Sequence, residues 1–543
     1  MNNREIAKQF NLLANLMELH DENPFKIKSY QSAYNVLRKL EIPLAEMNHK
    51  DIEALPGVGK AIFEKIIELL SSGQLRIIKK YKDLTPSGVV ELLQIRGLGP
   101  KKIRTIWHQL DITNPGELLY ACNENRLVEA TGFGIKSQED VKNKVEYYLN
   151  SLGFIQLGYI LDDAHSLIDS LRKFYPDDLF EWVGDLGKRM QVIEGLEILC
   201  TNNTFLGDSR LPIELNEETN LPVFKGQNLT THITTHAEFG KECIKRTSSV
   251  DFFKTLGEKA ENIVANDDRS FFKQLNYSYV SPELRGEISY AEKSKNSEDI
   301  RLIEEKDIKG IIHAHSTYSD GINDLKSMAK ACIDRGFEYL VITDHSQSAG
   351  YAGGLKIDAL YQQWEEIDTL NSTFNNFKIL KGIESDILSN GELDYPADIL
   401  AKFDVVIASI HSGMNMDELK ATERLISAIS NPYMHILGHP TGRLLLGRPG
   451  YPINHAKIIE ACAEHQVSIE LNANPQRLDL DYQWIKVAIE NNVKISINPD
   501  AHSTGQIDYI KYGVIAARKG GLTAPYCLNT LPIDQFLESI RKK

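Results

Sequence analysis

The chain has 543 residues, of which 25% are charged, and a formal net charge of −14. A chain of this length exceeds one hydrophobic core, so we expect about three or four domains. The acidic total argues against a general nucleic-acid coat protein, and no uncharged apolar run reaches the roughly 18 residues that a membrane span needs.

The cysteines are far apart in the sequence, at Cys122, Cys200, Cys243, Cys332, Cys462 and Cys527. They form no CxxC or CxxxC pair, so the spacing predicts neither a disulfide framework nor a thiolate zinc site. The N-terminal segment also lacks an unbroken apolar stretch followed by a small-residue cleavage site. These features predict a soluble protein of the reducing cytoplasm, with no membrane association.

Residues 1–150 are predicted to be helical, because apolar residues recur at three- and four-residue spacing between glycine turns. Three of these turns resemble one another: LPGVGK at 55–60, IRGLGPKK at 95–102 and TGFGIKS at 131–137. Such turns are typical of helix-hairpin-helix elements, whose backbone N–H groups receive a phosphate beside a helix N-terminus. Ordinary packing of helices around a loop is the alternative.

Basic residues are concentrated at the same end of the chain. Residues 1–110 contain 17 Lys+Arg and 12 Asp+Glu, a net charge of +5, which leaves −19 for the remainder. The glycine turns and their lysines therefore predict sequence-independent contacts with DNA. The candidate DNA-binding residues are Gly57, Gly59, Lys60, Gly97, Gly99, Lys101, Lys102, Gly132 and Gly134.

Short strands alternate with helices from about 155 to 285, and the polar stretch at 290–307 predicts a linker. One predicted strand, VIEGLEIL at 192–199, carries Glu194 and Glu197 on either side of Gly195. Two carboxylates on one face could hold metal ions for nucleotide chemistry. Residues three apart on a regular strand point to opposite faces, so Glu194 and Glu197 are not expected to act as a pair.

After residue 309, apolar strands recur and most end in a polar group that could bind a metal. The marker residues are 32, 39, 27, 28, 31 and 30 residues apart, at His313, His345, Glu384, His411, His439, Glu470 and Asp500. Each interval is about the length of one strand-helix unit. The pattern predicts a parallel barrel with these groups at the carboxyl ends of its strands.

This region supplies nine candidate metal ligands: His313, His315, Asp320, His345, Glu384, His411, His439, Asp500 and His502. A lone histidine at a strand end is usually a hydrogen-bonded structural residue. Several at the same end of successive strands favour a metal centre. Imidazole and carboxylate ligands without thiolate are typical of Zn, Mn or Fe in hydrolytic sites, and one carboxylate can bridge two ions.

The motifs HAHSTYSDG, TDHS, GIESDIL, IHS, GHPTGR and NPDAH resemble those of the polymerase-and-histidinol-phosphatase (PHP) domain. The resemblance implies a distorted seven-stranded TIM-like barrel with three divalent ions. It implies that the ions are held by His313, His315, Glu384 and Asp500, by Glu384, His411 and His439, and by Asp320, His345 and His502. Glu384 and Asp320 would then be catalytic. Arg443 would hold a phosphate through its planar guanidinium, with an ordinary surface arginine as the alternative.

The segments at 22–33, ENPFKIKSYQSA, and 55–81, LPGVGKAIFEKIIELLSSGQLRIIKKY, resemble the small N-terminal domain of family X DNA polymerases. In that family a lysine on the helix after the first glycine turn attacks an abasic sugar, and the resemblance assigns this lyase role to Lys65. An amine needs burial or cationic neighbours to act as such a nucleophile. An ordinary helix lysine is the alternative.

The segment GDLGKRMQVIEGLEIL (184–199) resembles the family X palm motif without gaps, and YSYVSPELRGE (277–287) resembles the closing segment. Four positions that carry catalytic or triphosphate-binding residues in the family are occupied here by Asp185, Gly195, Glu197 and Thr230. Nucleotidyl transfer needs carboxylates to hold two ions, and a single longer acid does not replace three aspartates. The resemblance therefore implies an α+β nucleotidyltransferase-like palm retained as a scaffold, without polymerase activity.

The expected domains are an N-terminal lyase-like helical domain with a helix-hairpin-helix at 1–85, a second helix-hairpin-helix region at 86–152, a degenerate palm and thumb at 153–288, a linker at 289–308 and a PHP phosphoesterase at 309–543. We expect a DNA-binding, metal-dependent phosphoesterase of the 3'-5' exonuclease or 3'-end processing type in DNA repair. Its DNA would be gapped or 3'-ended. The alternatives are an active family X polymerase with exonuclease, a repair scaffold, and a small-molecule phosphatase resembling histidinol-phosphatase.

Overall fold

The computed structural model describes residues 1–40, 42–150, 152–216, 219–296 and 300–540, without the side chains of Arg4 and Asn150. The chain divides into two compact units, Met1–Tyr148 and Leu149–Lys543. The predicted domain boundaries that lie inside these units stay predictions. Within the described ranges, no helix is long and apolar enough to cross a membrane.

The first unit is helical, as predicted. Its helices are α1 (Asn3–Leu19), α2 (Pro24–Leu37), α3 (His49–Glu53), α4 (Lys60–Ser72), α5 (Arg76–Asp83), α6 (Ser87–Leu92), α7 (Pro100–Leu110), α8 (Pro115–Asn123) and α9 (Ile135–Asn150). Helix α1 begins at a capping box formed by Asn2 and Glu5. Its buried residues Ile6, Phe10 and Leu13 recur every three or four positions, which gives the helix one apolar face.

The predicted glycine turns are present in this unit. Gly57, Gly97 and Gly132 have φ values of +79°, +83° and +87°, a left-handed conformation that favours glycine. Gly59 and Gly99 are the N-cap residues of α4 and α7. Each turn therefore ends one helical segment and begins the next, as a helix-hairpin-helix requires.

The second unit begins with an α+β region, residues 153–288, which we call the palm. Its strands are β1 (Phe154–Gln156), β2 (Phe180–Val183), β3 (Val192–Glu194), β4 (Leu196–Cys200), β5 (Ile213–Leu215), β6 (Pro222–Phe224) and β7 (Gln227–Ile233). Its helices are α10 (Leu157–Phe174), α11 (Gly184–Gly187), α12 (Phe239–Thr247), α13 (Val250–Thr255) and α14 (Asp268–Leu275). Helix α15 (Ile288–Lys295) begins at the last residue of the palm and extends beyond it. The main sheet has the order β2-β4-β7-β6-β5, and β1 pairs with β3 in a separate two-stranded sheet.

The prediction of one regular strand at 192–199 is wrong. Gly195 has a φ of +74° and divides the segment into β3, which pairs with β1, and β4, which pairs with β2 and β7. A left-handed glycine breaks the alternation of faces along a strand. Glu194 and Glu197 therefore lie on separate strands, and the rule of opposite faces along one strand does not apply to them.

The predicted linker at 289–308 lies partly on residues 297–299, outside the described residues. On its N-terminal side the chain forms helix α15, in which Tyr290, Ala291 and Ser294 are buried. On its C-terminal side Ile303 is fully buried. Tyr290, Ala291 and Ile303 belong to hydrophobic clusters of the second unit, so the described parts of this segment are packed despite their polar composition.

The remainder of the second unit, residues 309–540, forms the barrel. Its strands are β8 (Gly310–Ala314), β9 (Tyr339–Ile342), β10 (Lys378–Asp386), β11 (Val405–Ser409), β12 (Ile436–Leu437), β13 (Ser468–Asn472) and β14 (Ile495–Asn498). Its helices are α16 (Leu325–Asp334), α17 (Ile357–Asn371), α18 (Ala397–Leu400), α19 (Glu418–Ile429), α20 (His455–His465), α21 (Ile485–Glu490), α22 (Ile510–Lys519) and α23 (Ile533–Ile540).

The barrel strands are parallel and follow one another in chain order from β8 to β14. A bridge between Ala314 and Ala501 and a 2.8 Å hydrogen bond from the His315 amide to the Ala501 carbonyl connect the two ends of the sheet. The sheet is thus a nearly closed seven-stranded barrel, as predicted. Buried apolar side chains of the palm and of the barrel form one continuous cluster, so the two share a core.

Candidate metal centre

The carboxyl ends of the barrel strands bring the nine candidate ligands into one site. Glu384 lies on β10, His313 on β8, and the others follow the strand ends within a few residues. Seven are buried: His313, His315, His345, Glu384, His439, Asp500 and His502. The side chains of Asp320 and His411 are the most exposed of the nine, at 8% and 10%.

Glu384 is the centre of this arrangement. Its Oε1 lies 3.0 Å from Nε2 of His439 and 3.2 Å from Nε2 of His411. Its Oε2 lies 3.1 Å from Nδ1 of His345 and 3.3 Å from Nε2 of His313. Each carboxylate oxygen therefore faces a different pair of imidazoles, the arrangement expected of a ligand that bridges two ions.

Three overlapping groups of side chains have ligand atoms within 4.8 Å of one another: His313, His315 and Asp500; His345, Glu384 and His411; and His315, Asp320, His345 and His502. These groups could hold metal ions. They overlap with the sets implied by the family resemblance but differ from them in three ways: Glu384 is absent from the first group, His345 takes the place of His439 in the second, and His315 joins the third. The number of ions and the ligands of each stay predictions.

Several buried nitrogen and oxygen atoms of the centre lack hydrogen bonds, which bears on whether a metal ion fits there. His313 Nε2, His315 Nδ1, His345 Nδ1 and Glu384 Oε2 are buried and have no hydrogen-bond partner among the described residues. Buried polar atoms are normally hydrogen-bonded. A set of unpartnered nitrogen and oxygen atoms directed at one another matches the donor preference of a divalent cation.

Two further carboxylates orient ligand imidazoles from behind. Glu470 Oε1 lies 2.6 Å from Nδ1 of His313, and Asp386 Oδ1 lies 2.7 Å from Nδ1 of His411. Such contacts fix the orientation of a metal-ligating imidazole. The sequence marked Glu470 as a strand end but did not identify either residue as an orienting partner. The position of Asp386 two residues after Glu384, on the same side of β10, was the available signal.

The buried Asp344 of TDHS is a third acid that was not predicted from the sequence. It accepts hydrogen bonds from the Ser316 amide at 2.8 Å and from Gln363 Nε2 at 2.6 Å. Burial raises the pKa of Asp344. These bonds hold the segment that connects His315 to Asp320, so Asp344 shapes the centre without facing it.

The surroundings shift the pKa values of two imidazoles of the centre in opposite directions. Burial, with His502 and His345 nearby, lowers the pKa of His315 to about 3. Burial would also lower the pKa of His411, but Glu384 and Asp386 outweigh it and raise that pKa to about 10. Burial opposes ionisation of Glu384 as well, yet the histidines around it hold its pKa well below the usual range. The surrounding histidines thus favour the carboxylate form of Glu384, the form that binds a metal ion.

Arg443 lies on the loop that follows His439. Its Nε donates to the Arg477 carbonyl at 3.0 Å, its Nη2 donates to Gln191 at 3.0 Å, and its Nη1 contacts Asp481. All three guanidinium nitrogens are thus bonded within the protein. The predicted phosphate contact of Arg443 stays a prediction and would require some of these bonds to be exchanged.

The N-terminal candidates lie where the sequence placed them. A Cβ at Gly59, Gly99, Gly132 or Gly134 would meet no heavy atom within 4 Å, so the backbone at these turns is uncovered. Lys60 and Lys101 are exposed, while Lys102 lies 5.7 Å from the centre of the Phe133 ring. Lys65 is half-buried, with its Nζ 5.7 Å from the centre of the Tyr30 ring. DNA contact and lyase chemistry at these residues stay predictions.

The polymerase-like positions of the palm are brought together by the pairing of β4 with β7, in which Glu197 is opposite Thr230. The Glu197 carboxylate lies 2.7 Å from Nε2 of His232. A Cβ on Gly184 would lie 2.3 Å from Glu197 Oε1, so this carboxylate sits directly over the turn that precedes Asp185. The Asp185 carboxylate accepts a 3.3 Å hydrogen bond from the Glu194 amide.

Comparison with protein-family models and curated proteins agrees with this architecture. Residues 1–75 match a helix-hairpin-helix domain, residues 89–144 a SAM-like helix-hairpin-helix tandem, and residues 312–474 a PHP domain. The DNA polymerase/3'-5' exonuclease PolX of Bacillus subtilis is 34% identical, with 97% of each chain covered.

Two shorter relatives match smaller shares of the chain. A probable phosphatase of Thermoanaerobacter sp. is 29% identical over 42% of this chain and 90% of its own length. The probable phosphatase YcdX of Escherichia coli is 31% identical over 30% of this chain and 59% of its own length. The match to PolX, by contrast, extends over nearly both chains. This protein therefore belongs to the PolX family of family X DNA polymerases, with helix-hairpin-helix domains and a C-terminal PHP domain.

Proposed function

We propose that the protein is a metal-dependent DNA phosphoesterase of the 3'-5' exonuclease or 3'-end processing type, and that its palm no longer extends primers. The observation that carries this proposal is the Glu384 carboxylate, whose two oxygens face separate pairs of imidazoles at 3.0 to 3.3 Å. Such a bridging acid has no evident purpose in a purely structural barrel.

When bound, divalent ions would supply an activated water and neutralise charge on the phosphoryl group. We propose that His313, His315, Glu384 and Asp500 hold one ion, that Glu384, His411 and His439 hold a second, and that Asp320, His345 and His502 hold a third. Glu470 and Asp386 keep two of the imidazoles oriented. The lower burial of Asp320 and His411 supports a substrate position on their side of the centre.

The geometry of the palm supports the loss of nucleotidyl transfer. Metal-dependent transfer needs several carboxylates around two ions. Here Gly195 and Thr230 bring none, and Glu197 is engaged with His232 and covers the Gly184 turn. Groups of three or more metal-capable side chains, in the part of the chain that the structure describes, lie in the barrel.

We further propose that the glycine turns of the first unit bind the DNA backbone and that Lys65 is a candidate for lyase chemistry. Uncovered backbone at helix N-termini with adjacent lysines suits phosphate contacts that are independent of sequence. A gapped or 3'-ended duplex would be held by these contacts while the barrel hydrolyses the terminal phosphodiester.

A small-molecule phosphatase is the second candidate, because probable phosphatases of several bacteria are 29% and 31% identical to parts of this chain. The helical first unit distinguishes the candidates, since those relatives match only 42% and 30% of this chain.

The test is to incubate the full-length protein with Mn2+ and a labelled gapped duplex, and in parallel with p-nitrophenyl phosphate. Stepwise release of nucleotides from the 3' end is expected. Hydrolysis of the small ester alone would favour the phosphatase, and hydrolysis of neither would favour a scaffold.

A further inference from the structure

Two glutamines of the palm contact the barrel loop that follows His439, which we call the His439 loop (residues 440–448). Gln156, at the end of β1, and Gln191, just before β3, are 3% and 7% exposed. Gln156 Nε2 donates to the Leu445 carbonyl at 2.6 Å, and Gln191 Oε1 accepts from Arg443 Nη2 at 3.0 Å. Pairing of β1 with β3, and a 3.0 Å bond from the Leu157 amide to the Gln191 carbonyl, hold the glutamines in place.

The His439 loop connects the two glutamines to the metal centre through hydrogen bonds. The Gly442 amide donates to the His439 carbonyl at 3.0 Å, which closes a turn directly after the ligand candidate. The Thr441 amide and hydroxyl donate to Asp479 at 3.0 and 2.9 Å. The loop is therefore bonded on one side to the barrel and on the other to the palm.

The palm also approaches the neighbouring loop, which follows β13. A Cβ on Gly158, at the start of α10, would lie 2.2 Å from Cβ of Pro475, so only glycine permits this contact. Strand β13 carries Glu470, which orients His313. The palm thus lies against two loops whose strands position groups of the centre.

We propose that Gln156 and Gln191 are positioning residues for the metal centre. A palm without nucleotide chemistry would then support the loop that follows a metal ligand of the phosphoesterase. They fix the His439 loop and, through it, the imidazole that lies 3.0 Å from Glu384. Arg443 acts in this arrangement as the connector between palm and loop. The catalytic part of the inference rests on the proposed function, whereas the metal-binding part does not.

The two glutamines form their hydrogen bonds to the His439 loop through different amide atoms. Gln156 bonds through its nitrogen and its Oε1 has no partner, whereas Gln191 bonds through its oxygen and its Nε2 has no partner among the described residues. Glutamate at 191 would keep the acceptor for Arg443. Glutamate at 156 would place a carboxylate against the Leu445 carbonyl. The same substitution therefore has opposite expected effects at the two positions.

The experiment uses full-length Gln191→Glu, Gln191→Met, Gln156→Glu and Gln156→Met. Methionine removes the hydrogen bond while keeping nearly the same volume. Asp162→Asn is the matched control, because Asp162 forms a palm-barrel ion pair with Lys511 at 2.7 Å on the exposed side of α10. Mn2+ affinity is measured by calorimetry after chelator treatment, and kcat and KM are measured on a 3'-ended duplex. Circular dichroism and melting establish that each variant is folded.

Gln191→Met and both Gln156 variants are expected to lose about tenfold in Mn2+ affinity, the loss typical of groups that orient ligands, and kcat should fall with it while KM changes little. Gln191→Glu should rescue position 191, and Asp162→Asn should match the parent protein. Unchanged Mn2+ affinity in all variants, or equal damage from Glu and Met at 191, would overturn the inference. Should the parent bind Mn2+ but hydrolyse no DNA, the proposed function fails while the Mn2+ titration still decides this inference.

Discussion

Glu384 is the side chain on which the proposed chemistry of the barrel depends most, because its two oxygens face different pairs of imidazoles. It is 1% exposed, and it is a member of two of the three ligand sets proposed above. His313 and His345 face one oxygen while His411 and His439 face the other. A single truncation at this residue therefore acts on the whole centre.

Glu384→Ala should abolish phosphoester hydrolysis and lower the metal content. Loss of several kcal/mol of charge stabilisation corresponds to a rate decrease of roughly a thousandfold or more. The measurements are turnover on labelled DNA and metal analysis, with circular dichroism to show that the barrel is intact. Near-full activity of the variant on every phosphoester tried would contradict the bridging role.

Lys519 allows a pH test of a half-buried cation outside the metal centre. Its Nζ donates to the Lys188 carbonyl at 3.1 Å, and burial lowers its pKa to about 8 although Glu283 opposes this. Between that value and the ordinary lysine pKa of about 10.4, the unfolded chain binds more protons than the folded protein, so stability rises with pH. Below pH 8 both states are protonated and the contribution is flat.

We expect the free energy of unfolding of the parent protein to rise from pH 8 towards pH 10 relative to Lys519→Met, which lacks this group. Urea unfolding at a series of pH values measures the difference. Lys486→Met is the control, because Lys486 is 46% exposed. Parallel pH profiles for the parent and Lys519→Met would show that Lys519 does not titrate in this range.

At the scale of single elements, the proposed function depends on the helix-hairpin-helix turns and on the divided strand. At the turns before α4, α7 and α9, a Cβ on Gly59, Gly99 or Gly134 would meet no heavy atom within 4 Å. The divided strand assigns β3 to the small sheet beside the barrel and β4 to the palm sheet. Under the proposed function, the turns present their backbone to DNA, while β3 and β4 have a packing role.

Replacing Lys60, Lys101 and Lys102 together with glutamine should weaken duplex binding and reduce its salt dependence. For every DNA phosphate that the protein no longer neutralises, the slope of log K against log salt becomes shallower by about 0.9. Fluorescence anisotropy at several salt concentrations provides the measurement. Replacing the exposed lysines Lys254, Lys259 and Lys420 is the control. Equal slopes for the two triple variants would leave the turns as packing elements only.

The palm should not extend a primer. Template-directed synthesis is assayed on gapped DNA with Mg2+ or Mn2+ in a Glu384→Ala background, so that degradation cannot conceal it. Residual synthesis should be undetectable, because Gly195 and Thr230 supply no carboxylate for the ions. Incorporation that disappears when Glu197→Ala is added would show that Glu197 is a working ligand.

Much of the barrel and its centre could be predicted from the sequence, because parallel strands place their carboxyl ends together and the ligand residues recur at intervals of one strand-helix unit. The break at Gly195 was not predicted, since an apolar run with one glycine has the same pattern as a continuous strand. The contacts of Arg443 were not predicted either. Its partner Gln191 is 252 residues away, and no local pattern indicates a contact of that range.

At the scale of the whole molecule, the palm and the barrel behave as one body because they share a hydrophobic core. Salt bridges such as Lys511–Asp162 and Arg518–Glu283 join them further. Metal bound at the carboxyl ends of the barrel strands would therefore stabilise the palm as well.

We expect metal to shift the unfolding of palm and barrel together. Trp182 reports on the palm and Trp364 on the barrel, and both are buried. In variants that keep only one of these tryptophans, Mn2+ should raise both fluorescence midpoints by the same number of degrees. A shift at Trp364 without one at Trp182 would show that the shared core does not couple the two regions.

The shared core also constrains how this lineage can change. A descendant that discards residues 153–288 would expose the apolar wall of the barrel and lose the partners of the His439 loop in the same event. Mutations that remove nucleotide chemistry from the palm, by contrast, leave that wall covered. The palm could therefore lose its catalytic activity during evolution, whereas deletion of its residues would destabilise the barrel. An inactive palm would for this reason be retained as a structural domain.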